Sequence, residues 1–484
     1  MTLTVGYSDL QPKTRMDARI KAAKSYTVQA ALFLSNGFLE VPNIQLKENI
    51  HRRDPGKDRK MAVKPRIAGL EKLYREESLD YQRKRYKKAI EDYKKYFASD
   101  GAAIRVFSAP GRTEVGGNHT DHNCGKVLAA SVDLDIIAIV EPLDEPVAVL
   151  KSEGFDENRI MINELDVHEE EKNTANALLR GVTKGFQSRG FKVGGFKAYT
   201  TSNVMKGSGL SSSAAFEVLI GTIYSFLYNG GTVDPVKIAQ IAKYAENMYF
   251  GKPSGLMDQM ASSVGGFVAI DFKDVESPII ENIDVDFDSF GHALCIVDTK
   301  GDHADLTPDY AAIPAEMHAV AEYFSVDCLR RICKHDIILN MNILREKFGD
   351  RAVLRCIHFF EENKRVDKLV NALKRNDFQA FLDSINESGN SSYKYLQNVY
   401  SCSDVKHQGL SIGLNVAEYA LSRKGASRVH GGGFAGTIQA FVPFELLKEF
   451  KMELEKVFGN GSCHILKIRP LGGCEVALDS IEGK

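Results

Sequence analysis

Apolar positions follow two regimes along this chain. Up to about residue 98 they recur at helical spacing. One stretch runs from about Arg15 to Leu34 and stops at Asn36-Gly37; a second runs from about Leu70 to Phe97, with Tyr86, Ile90, Tyr93 and Phe97 at i, i+4, i+7 and i+11. The spacing predicts two helices joined by the charged linker HRRDPGKDRK. From Ile104 onward, short apolar runs, glycine turns and amphipathic patterns alternate, the texture of a mixed α and β enzyme. Ile104 to Ala109 reads as a short strand, Val127 to Val140 as one or two strands, and Phe196 to Thr201 as a strand entering a glycine-serine turn. Beyond that turn Phe216, Leu219, Ile220, Ile223, Phe226 and Leu227 share one helical face, which ends at Asn229-Gly230-Gly231. Asp234-Pro235 then caps a helix reaching about Met248. A dip in apolar content over DVDFDSFGH (284–292) precedes the strand ALCIVDT and predicts a domain boundary there. No internal repeat or low-complexity tract interrupts the pattern. The expected organisation is a helical extension over 1–98, one domain over 99–290 and a second over 291–484.

Composition narrows the classes of function. The 484 residues hold 62 Lys and Arg against 64 Asp and Glu, a formal charge of −2, which argues against a nucleic-acid partner bound through a whole-chain basic field. No run approaches the roughly 18 apolar residues of a membrane span, and the N-terminus lacks an apolar leader, so a cytoplasmic protein with no membrane partner is expected. The eight cysteines form no CxxC pair and read as packed, reduced thiols rather than a disulfide framework or a zinc cluster. Residues 51–100 carry 16 Lys or Arg against 9 Asp or Glu, with RKRYKK at 83–88; a solvated helix flank accounts for this more simply than a polyanion-binding face.

Four segments carry candidate chemistry. Lys206 to Ala215, KGSGLSSSAA, lies between a strand and an amphipathic helix, where a glycine-rich turn can aim several N–H donors and the positive end of the helix dipole at phosphate oxygens. It matches neither GK[ST] nor GxGxxG, and taken alone it also fits an ordinary capped helix. Pro110 to Gly125, PGRTEVGGNHTDHNCG, packs so many polar groups into a turn-rich segment that it must be exposed or wrapped around a polar ligand, such as a hydroxyl-rich sugar. His119, Asp121 and His122 would also be competent metal ligands, although no HxH or HExxH partner stands elsewhere. Glu246 to Gly266 presents Asp258 just after a Gly-Lys-Pro-Ser-Gly loop, where a carboxylate could take a proton from a substrate hydroxyl while Glu246 holds a cation. The fourth, HGGGFAGT from His430, is a triple-glycine turn into a strand.

In this order the segments resemble the three motifs of the GHMP kinases; His119-Thr120-Asp121 and SGLMDQ (254–259) are similar to the galactokinase branch of that family. The resemblance covers roughly residues 95 to 484. It implies an α+β fold: an N-terminal domain of the ribosomal protein S5 domain 2-like type, a ferredoxin-like C-terminal domain, and the helical N-terminal extension as an addition. It also implies an ATP-dependent sugar 1-kinase working with ATP and Mg2+ on a small-molecule sugar, as a monomer or weak homodimer. By position, Asp258 and Arg112 match the catalytic pair. Asn118, His119, Asp121, Gly255 and Tyr310 match sugar contacts. Lys206, Gly207, Ser208, Gly209, Leu210, Ser211, Ser212 and Ser213 match the phosphate cradle, with Ser213 and Glu246 as the metal ligands. One departure stands out: the family's usual glutamate before the His-Thr-Asp is Asn118 here. Loss of that charge leaves galacturonate, or another sugar, as an alternative substrate beside galactose. A non-catalytic sugar sensor is a third reading, disfavoured by the intact phosphate loop and Asp258.

Overall fold

The computed structural model describes residues 64–204, 209–252, 254–301 and 306–483. The helical pattern over Arg15 to Leu34, the charged linker, and Lys206, Gly207 and Ser208 of the phosphate cradle lie outside the described residues.

The strands are β1 (Ile67–Ala68), β2 (Arg105–Gly116), β3 (Lys126–Leu143), β4 (Val147–Ser152), β5 (Glu157–Met161), β6 (Gly195–Ser202), β7 (Phe267–Asp271), β8 (Ile279–Ile283), β9 (His292–Asp298), β10 (Ala426–His430), β11 (Thr437–Pro443), β12 (Cys463–Leu466) and β13 (Cys474–Val476). The long helices are α1 (Leu79–Phe97), α2 (Ala175–Ser188), α3 (Ser212–Tyr228), α4 (Pro235–Ala245), α5 (Met257–Val264), α6 (Thr307–Tyr323), α7 (Met341–Lys374), α8 (Phe378–Ser391), α9 (Gly409–Leu421) and α10 (Leu447–Phe458). Among the described residues the first sheet has nine strands in the order β1-β13-β2-β3-β6-β4-β5, with β7 and β8 branching from β3. The branch is possible because β3 is 18 residues long: Ile136 to Leu143 pair with β6, and Lys126 to Ala130 pair with β7.

Over 127–130 and 136–140 the apolar run lacks alternation because both faces of β3 are covered, while Ser131, Asp133 and Asp135 alternate with apolar residues between them. Ile136, Ala138 and Val140 enter the main core with Ala215, Val218 and Leu219 of α3, while Ile137 and Ile139 face the opposite way, into a cluster with Tyr86, Ala89 and Tyr93 of α1. So the second predicted helix covers a sheet face. It is not continuous from Leu70: a short helix, Leu70–Leu73, is followed by a turn before α1. Arg85, inside RKRYKK, is turned into the protein and paired with buried Asp135 at 2.7 Å, whereas Lys84, Lys87 and Lys88 are exposed. The solvated-flank reading therefore holds for those lysines and fails for Arg85.

The second sheet is wholly antiparallel in the order β10-β11-β9-β12, which in chain order is 2-3-1-4. With α10 crossing between β11 and β12 and helices crossing between β9 and β10, this is the ferredoxin-like arrangement. The chain then returns to the first sheet, where β13 pairs with β2 on one side and β1 on the other. All eight cysteines are free thiols, six of them buried. Cys124, Asp327 and Cys328 bring ligand atoms within 4.8 Å of one another, a convergence that sequence spacing does not reveal. Three donors fall short of the four a structural zinc takes, and Asp327 is already bonded to Arg331 at 3.2 Å.

Candidate active site

The first motif is not a turn along its whole length. Arg105 to Gly116 is one strand, with register shifts at Pro110/Arg112 and Glu114/Gly116. Such irregularities re-aim side chains without ending the strand. The polar groups of this segment are met largely by protein partners. Gln439 Nε2 donates to Thr113 Oγ1 at 2.6 Å and to Glu114 O at 3.0 Å, and Leu329 N–H donates to Asn123 Oδ1 at 3.3 Å. These long-range bonds satisfy part of the segment inside the protein; the expectation of an exposed or ligand-facing segment holds for the rest.

What remains turned outward lines a cavity of about 320 Å3: Arg112, Glu114, His119, Asp121, His122, Lys252, Ser254, Gly255, Met257, Asp258, Tyr310, Gly431 and Gly432. Size does not single it out, since clefts of about 660 and 720 Å3 lie elsewhere. Convergence does: it gathers residues from the first, third and fourth segments beside the N-terminus of α3.

Asp258 lies in the first turn of α5, its side chain 27% exposed, and receives Arg112 Nε–H and Nη2–H on Oδ1, each at 2.7 Å. Burial would raise its pKa, but the Arg112 charge, hydrogen bonds from Arg112 and Ser211, and the nearby Lys252 ammonium outweigh burial and hold it below the usual aspartate value. Arg112 is fixed in turn: Nη1 donates to Gly209 O, and its backbone N–H to Leu210 O at 3.0 Å. The catalytic candidate is thereby tied to the described part of the phosphate cradle.

That part of the cradle is strained in a useful way. Ser211, the N-cap of α3, has φ 56° and makes no side-chain capping bond, so the first-turn N–H groups of a 17-residue helix are left for an anion. Gly209 has φ +69°, and a Cβ there would meet the His430 ring at 3.1 Å, so the second and fourth segments touch at this glycine. Ser213, one turn on, donates to Glu246 Oε1 at 3.1 Å.

Glu246 is 2% exposed and opens a π-helical turn, Glu246–Phe250, that follows α4. It accepts from Lys252 Nζ at 3.1 Å, Ser254 Oγ at 2.6 Å and Gln259 Nε2 at 2.6 Å. Behind it on α3, Glu217 accepts from Gln259 at 3.2 Å; burial, then the charge of Glu246, pushes its pKa well above the carboxylate range. Lys252, Ser254, Gln259 and Glu217 were given no role from sequence, although Ser254 and Gln259 bound the SGLMDQ segment. Their signal was adjacency: three flank Asp258 and the fourth lies one helical turn beyond Ser213.

On the opposite wall, His119 (φ 56°) hydrogen-bonds to Gly432 O through Nε2 at 3.0 Å, and burial followed by the neighbouring His122 lowers its pKa to about 4. Gly255 backs directly onto Asp121: a Cβ there would stand 2.2 Å from Oδ2. Tyr310 of α6 donates to Gly433 O at 2.6 Å and stands so close to Gly432 that a Cβ there would meet its ring at 2.4 Å. These explain the glycines of the fourth segment. Asn118 is placed elsewhere. It is fully buried and absent from the cavity wall, donating to Glu114 Oε1 at 3.0 Å and Gly431 O at 2.7 Å and accepting from Asn398 at 2.8 Å.

Comparison with known proteins agrees with this geometry. Residues 173–266 match the GHMP kinases N terminal domain, and residues 91–142 match the galactokinase galactose-binding signature. A galactokinase from Streptomyces coelicolor is 29% identical over 69% of this chain and 83% of its own length; one from Thermotoga neapolitana is 29% identical over 72% and 93%. Among solved structures, Lactococcus lactis galactokinase complexed with galactose has a TM-score of 0.68 at 20% identity, covering 81% of this chain and 99% of that one. Methanococcus jannaschii mevalonate kinase has a TM-score of 0.55 at 16% identity, covering 76% and 99%. The chain has the GHMP kinase fold and carries a GHMP kinase N-terminal domain. Within that class it bears the galactose-binding signature of the galactokinases and resembles them over most of its length.

Proposed function

We propose that the chain is a galactokinase: it transfers the γ-phosphoryl group of ATP to the C1 hydroxyl of galactose. The observation that carries this reading is Asp258, held by Arg112 at 2.7 Å in a cavity shared by the sugar motif and open beside the N-terminus of the phosphate-loop helix.

Asp258 would accept the proton of the sugar C1 hydroxyl as that oxygen bonds to phosphorus. A carboxylate held this acidic is a weak base, so the proton moves late, while the new O–P bond forms. That suits a loose phosphoryl-transfer transition state, which asks mainly for positioning and charge stabilisation. Arg112 keeps Asp258 ionised and supplies positive charge near the transferring group. The free N–H groups of the first turn of α3, with Ser211 and Ser212, would receive phosphate oxygens; His119, Asp121 and Tyr310 would face the sugar.

Magnesium fits the residues present. Ser213 Oγ and the Glu246 carboxylate are hard oxygen donors 3.1 Å apart, of the kind magnesium takes, and the Lys252 ammonium now bonded to Glu246 Oε1 would yield that oxygen to the ion. Ser213 and Glu246 would hold the ion, which when bound would draw charge from the ATP phosphates. The reading is tested by sugar-dependent ADP release. Galactose should support it in the intact chain, and Asp258→Asn should slow it by about a hundredfold or more while leaving sugar binding in place; undiminished release in the variant would overturn the assignment.

A further inference from the structure

The neutral Asn118 raises the question of where the charge of the sugar pocket went. A carboxylate stands four residues earlier, on β2: Glu114. We propose that Glu114 is the specificity-determining carboxylate of the pocket, accepting a hydrogen bond from one substrate hydroxyl through Oε2 and selecting a neutral, hydroxyl-rich sugar over one that carries a carboxylate. The inference rests on the reading of this cavity as a sugar site.

Glu114 is only 4% exposed, yet it lines the cavity together with Arg112, His119 and Asp121. Both of its side-chain bonds fall on Oε1: Arg428 Nη2 donates at 2.7 Å and Asn118 Nδ2 at 3.0 Å, and no described residue donates to Oε2. A buried carboxylate with one oxygen saturated and the other bare needs a donor, and a sugar hydroxyl is one. The group is also rigid. Arg428 Nη1 holds Val115 O at 2.8 Å, and Gln439 holds Glu114 O at 3.0 Å, so the carboxylate is clamped from the ferredoxin-like sheet before ligand arrives.

Asn118 follows from this arrangement. A glutamate at 118 would set a second buried carboxylate beside Glu114, whereas an amide offers the N–H donors that Glu114 Oε1 and Gly431 O accept. The neighbouring groups point the same way. On this wall Glu114 and Asp121 are acceptors, Arg428 is bonded to Glu114 and Val115, and the cations elsewhere in the cavity, Arg112 and Lys252, are bonded to Asp258 and Glu246. A ligand carboxylate would meet lone pairs on this wall; ligand hydroxyls would meet acceptors. Position 118 alone suggested relaxed repulsion of a carboxylated sugar, and Glu114 restores that repulsion.

The test is calorimetric sugar binding to the full chain, with ADP release followed in parallel, for galactose, its 2-, 3-, 4- and 6-deoxy analogues and galacturonate. In the wild type, one deoxy sugar should bind about tenfold or more weakly, and galacturonate weakly or not at all. In Glu114→Gln, galactose should weaken by about tenfold, that same deoxy sugar should lose nothing further, and the KM for MgATP should stay within about twofold, which separates a lost contact from a damaged fold. Galactose binding unchanged in Glu114→Gln, equal losses for all deoxy sugars in both proteins, or galacturonate binding as tightly as galactose would each overturn the inference. Because binding needs no turnover, sugar binding without ADP release would overturn the kinase reading and leave this one standing.

Discussion

Asp258 and Arg112 form the shortest link between chemistry and fold, and their substitution has separable outcomes. Asp258→Asn keeps the size and the contact with Arg112 but removes the proton acceptor, so kcat should fall by about 10^2 to 10^4 with galactose affinity changed only a few-fold. Gly255→Ala should do the reverse, raising the sugar KM with little effect on MgATP, because the added Cβ would press on Asp121 Oδ2, 2.2 Å away. His119 gives a pH prediction. Its folded pKa of about 4 lies below the ordinary histidine value, so it is neutral above that pH. An NMR titration of its ring should show no protonation between pH 7 and 5; a midpoint near 6.5 would overturn this. At this scale the motifs were legible because phosphate and sugar chemistry demands particular residue types close together in sequence. Glu114 and Arg428 were not: their pairing joins positions 314 residues apart, and a carboxylate four residues before Asn118 looks unremarkable until its partner is seen.

The elements that position these residues are held by buried polar networks as much as by apolar contact. Asp135 on β3 receives Arg85 of α1 at 2.7 Å and Arg469 at 3.1 Å, and Tyr74 and Ser108 also donate to it. Arg85→Met would leave that carboxylate with half its compensation and should cost about 3 kcal/mol, read by urea denaturation, with kcat unchanged because the network lies away from the cavity. The helical spacing of Tyr86 and Tyr93 was enough to predict α1, since one apolar stripe has one way to be buried. The break before Leu79, the length of β2 and the branching of β3 were not predictable from local pattern. Each depends on which strand arrives as neighbour: the largely apolar sequence of β3 reads the same whether it meets one partner strand or three.

Across the whole molecule, α7 and the ferredoxin-like sheet brace the sugar loop from behind. Glu362 of α7 accepts from Gly117 N–H at 3.1 Å and Ser388 Oγ at 2.6 Å and is paired with Arg365, while His358 bonds Asn118 O at 3.0 Å. Burial would raise the Glu362 pKa, but the charges of His358, Arg365 and Arg428 and the Ser388 hydrogen bond bring it from 4.5 to about 2. A depressed carboxylate pKa stabilises the fold fully above the unfolded value and loses that contribution as pH falls through the folded one. Glu362→Gln should therefore be less stable than wild type by about 3 kcal/mol at neutral pH, with the gap closing between about pH 4.5 and 2. Thermal melts across that range check it; a gap independent of pH would remove Glu362 from the account.

The pairing of β13 with β1 sets the order in which the described part of the molecule can be built. Ile67 and Ala68 pair in parallel with Glu475 and Val476, and Leu70 N–H is met by Ser480 Oγ at 3.3 Å. A ribosome therefore delivers β1 some 400 residues before its neighbour exists. During synthesis α1 and the sheet face it covers must wait without Arg469 and β13, with Asp135 paired to Arg85 alone and the edge of the sheet beside β2 open. A nascent chain stalled before residue 469 should thus be a substrate for chaperones and proteases even though every residue of the cavity has already emerged.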